Sequence, residues 1–152
     1  MVGCTSFAPP VPPTYTGPTA LVMDWGETAG PQVEFYVLKA IDGQENRTTI
    51  DASRALSAAR NYQLFVVPVE RRVPARPMKA TLLASYYWPS PVQEWSAKGN
   101  GRFLTVEGVV DFDPQPDRTY VVKAILTPAL SQVWIEDEQS KARVTAVVSS
   151  QR

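Results

Sequence analysis

Histidine is missing from all 152 residues. Its absence removes the commonest general base, the commonest zinc ligand and every Ser-His or Cys-His nucleophile pair. Cysteine is nearly absent as well. Cys4 stands alone, which excludes an intramolecular disulfide and a thiolate metal cluster. An enzyme made from this chain would have to work through carboxylates, lysine or tyrosine, as glycosidases do. An excess of either charge is also lacking: 15 basic side chains balance 15 acidic ones. No global field therefore favours nucleic acid or an anionic bilayer. No stretch approaches the ~18 consecutive apolar residues that a membrane-spanning helix needs. Nothing in the composition calls for a cofactor, and the polypeptide itself is expected to be soluble.

What the chain does have is proline, 14 residues of it. Pro9, Pro10, Pro12, Pro13 and Pro18 fall within residues 5–18, a segment without a charged side chain. Proline fixes φ and removes N–H donors, so this segment reads as an extended polyproline II tether without sheet partners. At ~3.1 Å per residue, a dozen such residues would hold a domain on the order of 35 Å from an anchor. The anchor itself is suggested by Val2-Gly3-Cys4, which resembles the last part of a bacterial lipobox, with Met1 where leucine is usual. That resemblance implies diacylglycerol on Cys4, residues 1–18 as a truncated signal and tether, and residues 19–152 as one domain. The alternative is a free thiol on a tail.

From Thr19 onward the pattern is β. Ala20 to Asp24 is a short apolar run, closed by a loop around Gly26 and Gly30-Pro31. In Val33 to Ile41, Val33, Phe35, Val37 and Ile41 share one face, and Tyr36 and Leu38 lie on the other, which suits a central strand. Asp42-Gly43 readily turns the chain. Asp51 to Arg60 reads as a helix with Ala52, Ala55, Leu56 and Ala59 on its apolar face, Asp51 as N-cap and Asn61 closing it in the left-handed region. Strands are expected again at Tyr62–Val69 and Met78–Trp88, separated by a basic loop from Arg71 to Pro77. Ser90-Pro91-Val92-Gln93 opens a single helical turn. Phe103–Phe112, Thr119–Leu126, Val133–Asp137 and Val144–Val148 complete the set. Asp117 before Tyr120 suggests a tyrosine corner. Seven or eight short strands at this spacing predict a mostly β chain. The expected fold is a two-sheet antiparallel β-sandwich, immunoglobulin- or transthyretin-like, with one short helix.

Several blocks are distinctive as strings. They are Tyr15-Thr16-Gly17-Pro18, Ile41-Asp42-Gly43, Arg72-Val73-Pro74-Ala75-Arg76-Pro77, Val106-Glu107-Gly108, Tyr120-Val121-Val122-Lys123 and Val133-Trp134-Ile135-Glu136-Asp137. With them the chain resembles a group of small bacterial envelope lipoproteins of uncharacterised activity. The resemblance implies an address and a sandwich fold. No chemistry comes with it.

Four constellations bear on function. Asp111, Asp113 and Asp117 form an oxygen-rich loop that could face calcium, although it lacks the glycine and closing glutamate of an EF-hand. Adjacent Glu136 and Asp137 point to opposite faces of a strand, so they read as a hairpin tip answered by Lys141 and Arg143. Arg71, Arg72 and Arg76 could grip phosphate or carboxylate groups, against a plain reading in which they pair with nearby acids. Tyr86, Tyr87, Trp88 and Trp95 could form a sugar-stacking platform or an interface, against a plain reading as core.

The leading expectation is a non-enzymatic protein with a structural or adaptor role. It would be lipid-anchored through Cys4, on the outer membrane facing the periplasm, since Thr5 rather than aspartate follows Cys4. Its partner would be an envelope protein or a glycan. A glycan-binding module using the aromatic cluster is the alternative, and a carboxylate-only hydrolase stands third.

Overall fold

A computed structural model describes residue 7 and residues 9–63 and 65–151. Among these, ten strands and two helices form. The first four strands are β1 (Thr19–Met23), β2 (Trp25–Ala29), β3 (Gln32–Ile41) and β4 (Gln44–Glu45), followed by helix α1 (Thr49–Ala59). Then come β5 (Glu70–Pro74), β6 (Met78–Tyr87) and helix α2 (Pro91–Gly99). The chain ends with β7 (Thr105–Phe112), β8 (Thr119–Leu126), β9 (Leu130–Asp137) and β10 (Val148–Gln151).

The strands make two sheets, ordered β10-β9-β8-β1-β5 and β2-β3-β6-β7, with β4 paired to β3. Every pairing is antiparallel except β1 with β8, which is parallel. The chain is therefore a β-sandwich, as the strand spacing predicts, with one parallel rung and a second helix added. Between the sheets lie Val22, Val122, Val133 and Ile135 from one side and Leu38, Leu82, Ala84 and Phe112 from the other, all but dry. Tyr120 supports this core in two ways. Its ring meets Phe112 edge to face at 5.1 Å, and its hydroxyl accepts the Gln115 N–H at 2.9 Å. This is a tyrosine corner, made through Gln115 rather than Asp117.

A second, smaller core covers the outer face of the β2-β3-β6-β7 sheet. Val33, Phe35, Val37 and Tyr87 are packed there under Ile50 of α1 and Val66. Strand β3 is thus buried on both faces, which its two apolar faces require. A register shift between Leu38 and Ala40 corrects the expected faces: one extra residue moves Ile41 into the core between the sheets.

Other expectations are corrected too. Residues 25–29, read as a loop, are strand β2, an edge strand whose side chains are mostly exposed. The Tyr62–Val69 run forms no strand among its described residues, and pairing begins only at Glu70. Its Val66 lies over the outer face of the sheet instead. Helix α1 starts three residues early. Thr48 is the N-cap, and Asp51 completes a capping box from the third helical position. Thr49, Ala52, Ser53 and Ser57 are its buried residues, so the helix docks on small and hydroxyl side chains. Asn61 is left-handed at φ 54°, and Tyr62 follows at 59°. Helix α2 extends well past one turn, with Pro91 in its first turn and no side-chain cap from Ser90. The last strand lies beyond the expected Val144–Val148 and shares only Val148 with it.

Candidate functional site

The arginine cluster is dispersed by the pleat of β5. Arg71 points inward and is buried, Arg72 is exposed and reaches only Thr19 Oγ1 at 3.4 Å, and Arg76 pairs with Asp42 at 3.6 Å. The three do not form one anion grip. Arg71 has a different task. It donates from Nη1 to Asp24 Oδ1 at 2.9 Å and from Nη2 to Asp24 Oδ2 at 2.6 Å, and it also reaches the Arg47 carbonyl. Asp24 alone links β1 of one sheet to β2 of the other. Its carboxylate also accepts the N–H groups of Leu38 and Thr49, each at 3.0 Å. One buried ion pair thus fastens β1, β3, α1 and β5 together.

The acidic loop does not converge either. Asp111 pairs with Lys79, and Asp117 adopts φ 57° in the turn where its N–H meets the Thr19 carbonyl. Among the described residues no group of three or more His, Cys, Asp or Glu is placed to hold a metal ion. The Glu136–Asp137 tip resolves into two separate arrangements. Glu136 accepts Trp134 Nε1 at 2.8 Å while Arg143 lies 4.5 Å from the Trp134 ring centre. Asp137 turns the other way and accepts the Ser140 and Gln139 N–H groups. Those bonds, the Ser140 N–H foremost, with help from Arg118, hold the Asp137 carboxyl below the usual carboxylate range.

One carboxylate pair escaped the sequence reading. Glu27 and Glu34 face each other across β2 and β3, and both lie within hydrogen-bond distance of the Tyr36 hydroxyl. Trp25 Nε1 donates to Glu27 from the other side. Burial, then the adjacent Glu34, push the Tyr36 phenol well above its ordinary range, so it stays a donor.

The aromatic cluster is split between the two faces of its sheet. Tyr87 is buried in the outer core, 5.7 Å from the Phe35 ring. Tyr86 packs against the main core and meets Trp88 edge to face. Trp88 is itself buried, and Trp95 stands 80 % exposed on α2. No continuous stacking platform results.

Part of that cluster does enter a cleft of about 370 Å³ on the outer side of the β2-β3-β6-β7 sheet, within the size range of ligand pockets. Leu83, Ser85 and Tyr87 of β6 form its floor, and Glu45, Asn46 and Arg54 rise along the β4–α1 side. Glu94 of α2 and Phe103 face them, and Phe7 of the proline-rich segment lines the cleft as well. Asn46 is only 4 % exposed, yet its Nδ2 has no hydrogen-bond partner among the described residues. Nothing in the local sequence marks Asn46 or Arg54, because the cleft is assembled by pairings distant along the chain. A larger groove of about 530 Å³ runs along Met23, Trp25, Val66 and Pro68. Asp24 and Glu70 line it too, and Asp24 is already committed to Arg71.

Comparison with protein-family models, with curated proteins and with solved structures finds no match. Function therefore rests on the fold and the residues themselves.

Proposed function

We propose that this protein is a non-enzymatic, lipid-anchored binding protein of the bacterial cell envelope, attached through Cys4 to the outer membrane and facing the periplasm. Cys4 lies outside the described residues, so the anchor rests on its sequence context. The supporting observation is the segment between it and the domain. Phe7 and residues 9–18 carry no strand or helix, and the chain enters β1 directly after Pro18. A turn closed by the Tyr15 N–H on the Pro12 carbonyl, at 2.9 Å, interrupts the extended course. The half-buried Phe7 brings the segment back against the domain. Among the described residues no helix is long and apolar enough to cross a membrane, so attachment would come from acyl chains, at about 0.8 kcal/mol per buried CH₂.

Fractionation of the native full-length protein tests this reading. The wild type is expected with the membranes, carrying acyl chains on Cys4 by mass spectrometry. Cys4→Ser is expected in the soluble fraction with its melting temperature unchanged. An unmodified Cys4, or a serine variant that stays on the membrane, overturns the anchor. The glycan-binding alternative gains support from one observation: Tyr87, Phe103 and Glu94 share a single cleft.

A further inference from the structure

A buried amide donor without an acceptor costs free energy in the empty protein, and folded proteins rarely leave one so. Asn46 Nδ2 is such a donor. It borders a cleft that also holds a cation and an acid without ion-pair partners among the described residues. Arg54 forms no ion pair among the described residues; its guanidinium lies 5.5 Å from the centre of the Tyr87 ring. Glu45, exposed at the rim, has no ion-pair partner among them either. The other charged groups are engaged: Lys39 with Glu107, Glu94 with Lys98 and Asp51 with the Thr48 cap.

A ligand that fits must present an acceptor oxygen to Asn46, an anionic group to Arg54 and hydroxyl donors to Glu45. It also needs a less polar face for Leu83 and Tyr87. A hydrocarbon fails the first three demands, and inorganic phosphate fails the last. An extended peptide would seek main-chain partners at a sheet edge, whereas the floor here belongs to β6, an interior strand. We propose that the cleft binds an acidic glycan, with a sugar ring over Leu83, its carboxylate on Arg54 beside Tyr87 and an acetamido or hydroxyl oxygen on Asn46. This deepens the binding role proposed above by naming the ligand class, and it does not require the anchor.

The test is calorimetric titration of the intact chain with two probes. One is a disaccharide containing N-acetylmuramic acid, which bears a carboxylate; the other is neutral chitobiose. The acidic probe is expected to bind about tenfold tighter, the ratio supplied by one charge-assisted hydrogen bond. Arg54→Gln, a change on an exposed helix position, is expected to erase that preference. Asn46→Ala is expected to weaken both probes about fivefold. Its melting temperature should not fall, since the lost amide donor had no partner. A fall in melting temperature would mark Asn46 as structural and overturn its assignment. No binding of either probe overturns the glycan reading, as does an acidic preference that survives Arg54→Gln. None of these results bears on Cys4, whose lipidation is judged by fractionation.

Discussion

Arg71 and Asp24 are opposite charges with side chains 5 % and 0 % exposed, so each depends on the other for what water would otherwise supply. The four N–H groups on Asp24 come from β3, α1 and Arg71, and none can turn to solvent if the carboxylate is lost. Removing one partner of a buried pair typically costs about 3–5 kcal/mol. Arg71→Ala is therefore expected to lower unfolding free energy by that amount in urea titration. Arg71→Lys should recover little of it, because an ammonium cannot reproduce the two-pronged contact. A loss under 1 kcal/mol, small on the scale of ordinary core substitutions, would mean that the pair merely fills space. This pair was invisible in the sequence. Arg71 reads naturally with its neighbours Arg72 and Arg76, and nothing local connects it to an aspartate that lies three strands and a helix earlier.

Strands that bury at least one apolar face were legible as elements; those facing water on most sides were not. β3, β6 and β8 carry alternating apolar residues into the core, and the sequence reading finds all three close to their ends. β2, Trp-Gly-Glu-Thr-Ala, has no apolar face to betray it and is held mainly by its ladder to β3. The reverse error occurs at Val66, a β-branched residue that covers a sheet without joining it. α1 was found but rotated, because Ser53 and Ser57 are buried and helical periodicity counts serines as surface. Gly108 in β7 supplies a sharper test of element packing. A Cβ there would lie 2.6 Å from Val148 Cγ1 of β10, so the absent side chain lets the two strands close the sandwich. Gly108→Ala is expected to cost about 1–3 kcal/mol by overpacking. Adding Val148→Ala should return part of that cost, a coupling that a double-mutant cycle measures directly. Strict additivity would place the cost of alanine in the backbone of β7 instead.

For the whole molecule, the absence of histidine sets the response to pH. Asp137 releases its proton more readily in the fold than in the unfolded chain. As pH falls below about 4 the unfolded chain binds the extra proton, and stability drops. Tyr36, Tyr86 and Tyr87 are shifted the other way, by burial first. They keep protons that the unfolded chain gives up above about pH 10, so stability is lost again on that side. Urea midpoints should be level between about pH 5 and 8, where no unperturbed side chain of this domain titrates. Asp137→Asn should soften the acid limb and Tyr36→Phe the alkaline one. A step within the level region would require a titrating group that these shifts do not supply.

The parallel pairing of β1 with β8 has a consequence for the order in which the molecule comes into being. Leu21 finds its ladder partner at Thr119, and the other neighbour of β1 is β5, so nothing adjacent in the chain can hold the first strand in place. A ribosome must release about half of the polypeptide before the first strand can meet β5, and most of it before β8 arrives. Contacts of such long range form slowly, since the chain between them must first be ordered. Until β8 arrives the first strand lacks its parallel neighbour, and the sheet ordered β10-β9-β8-β1-β5 cannot close.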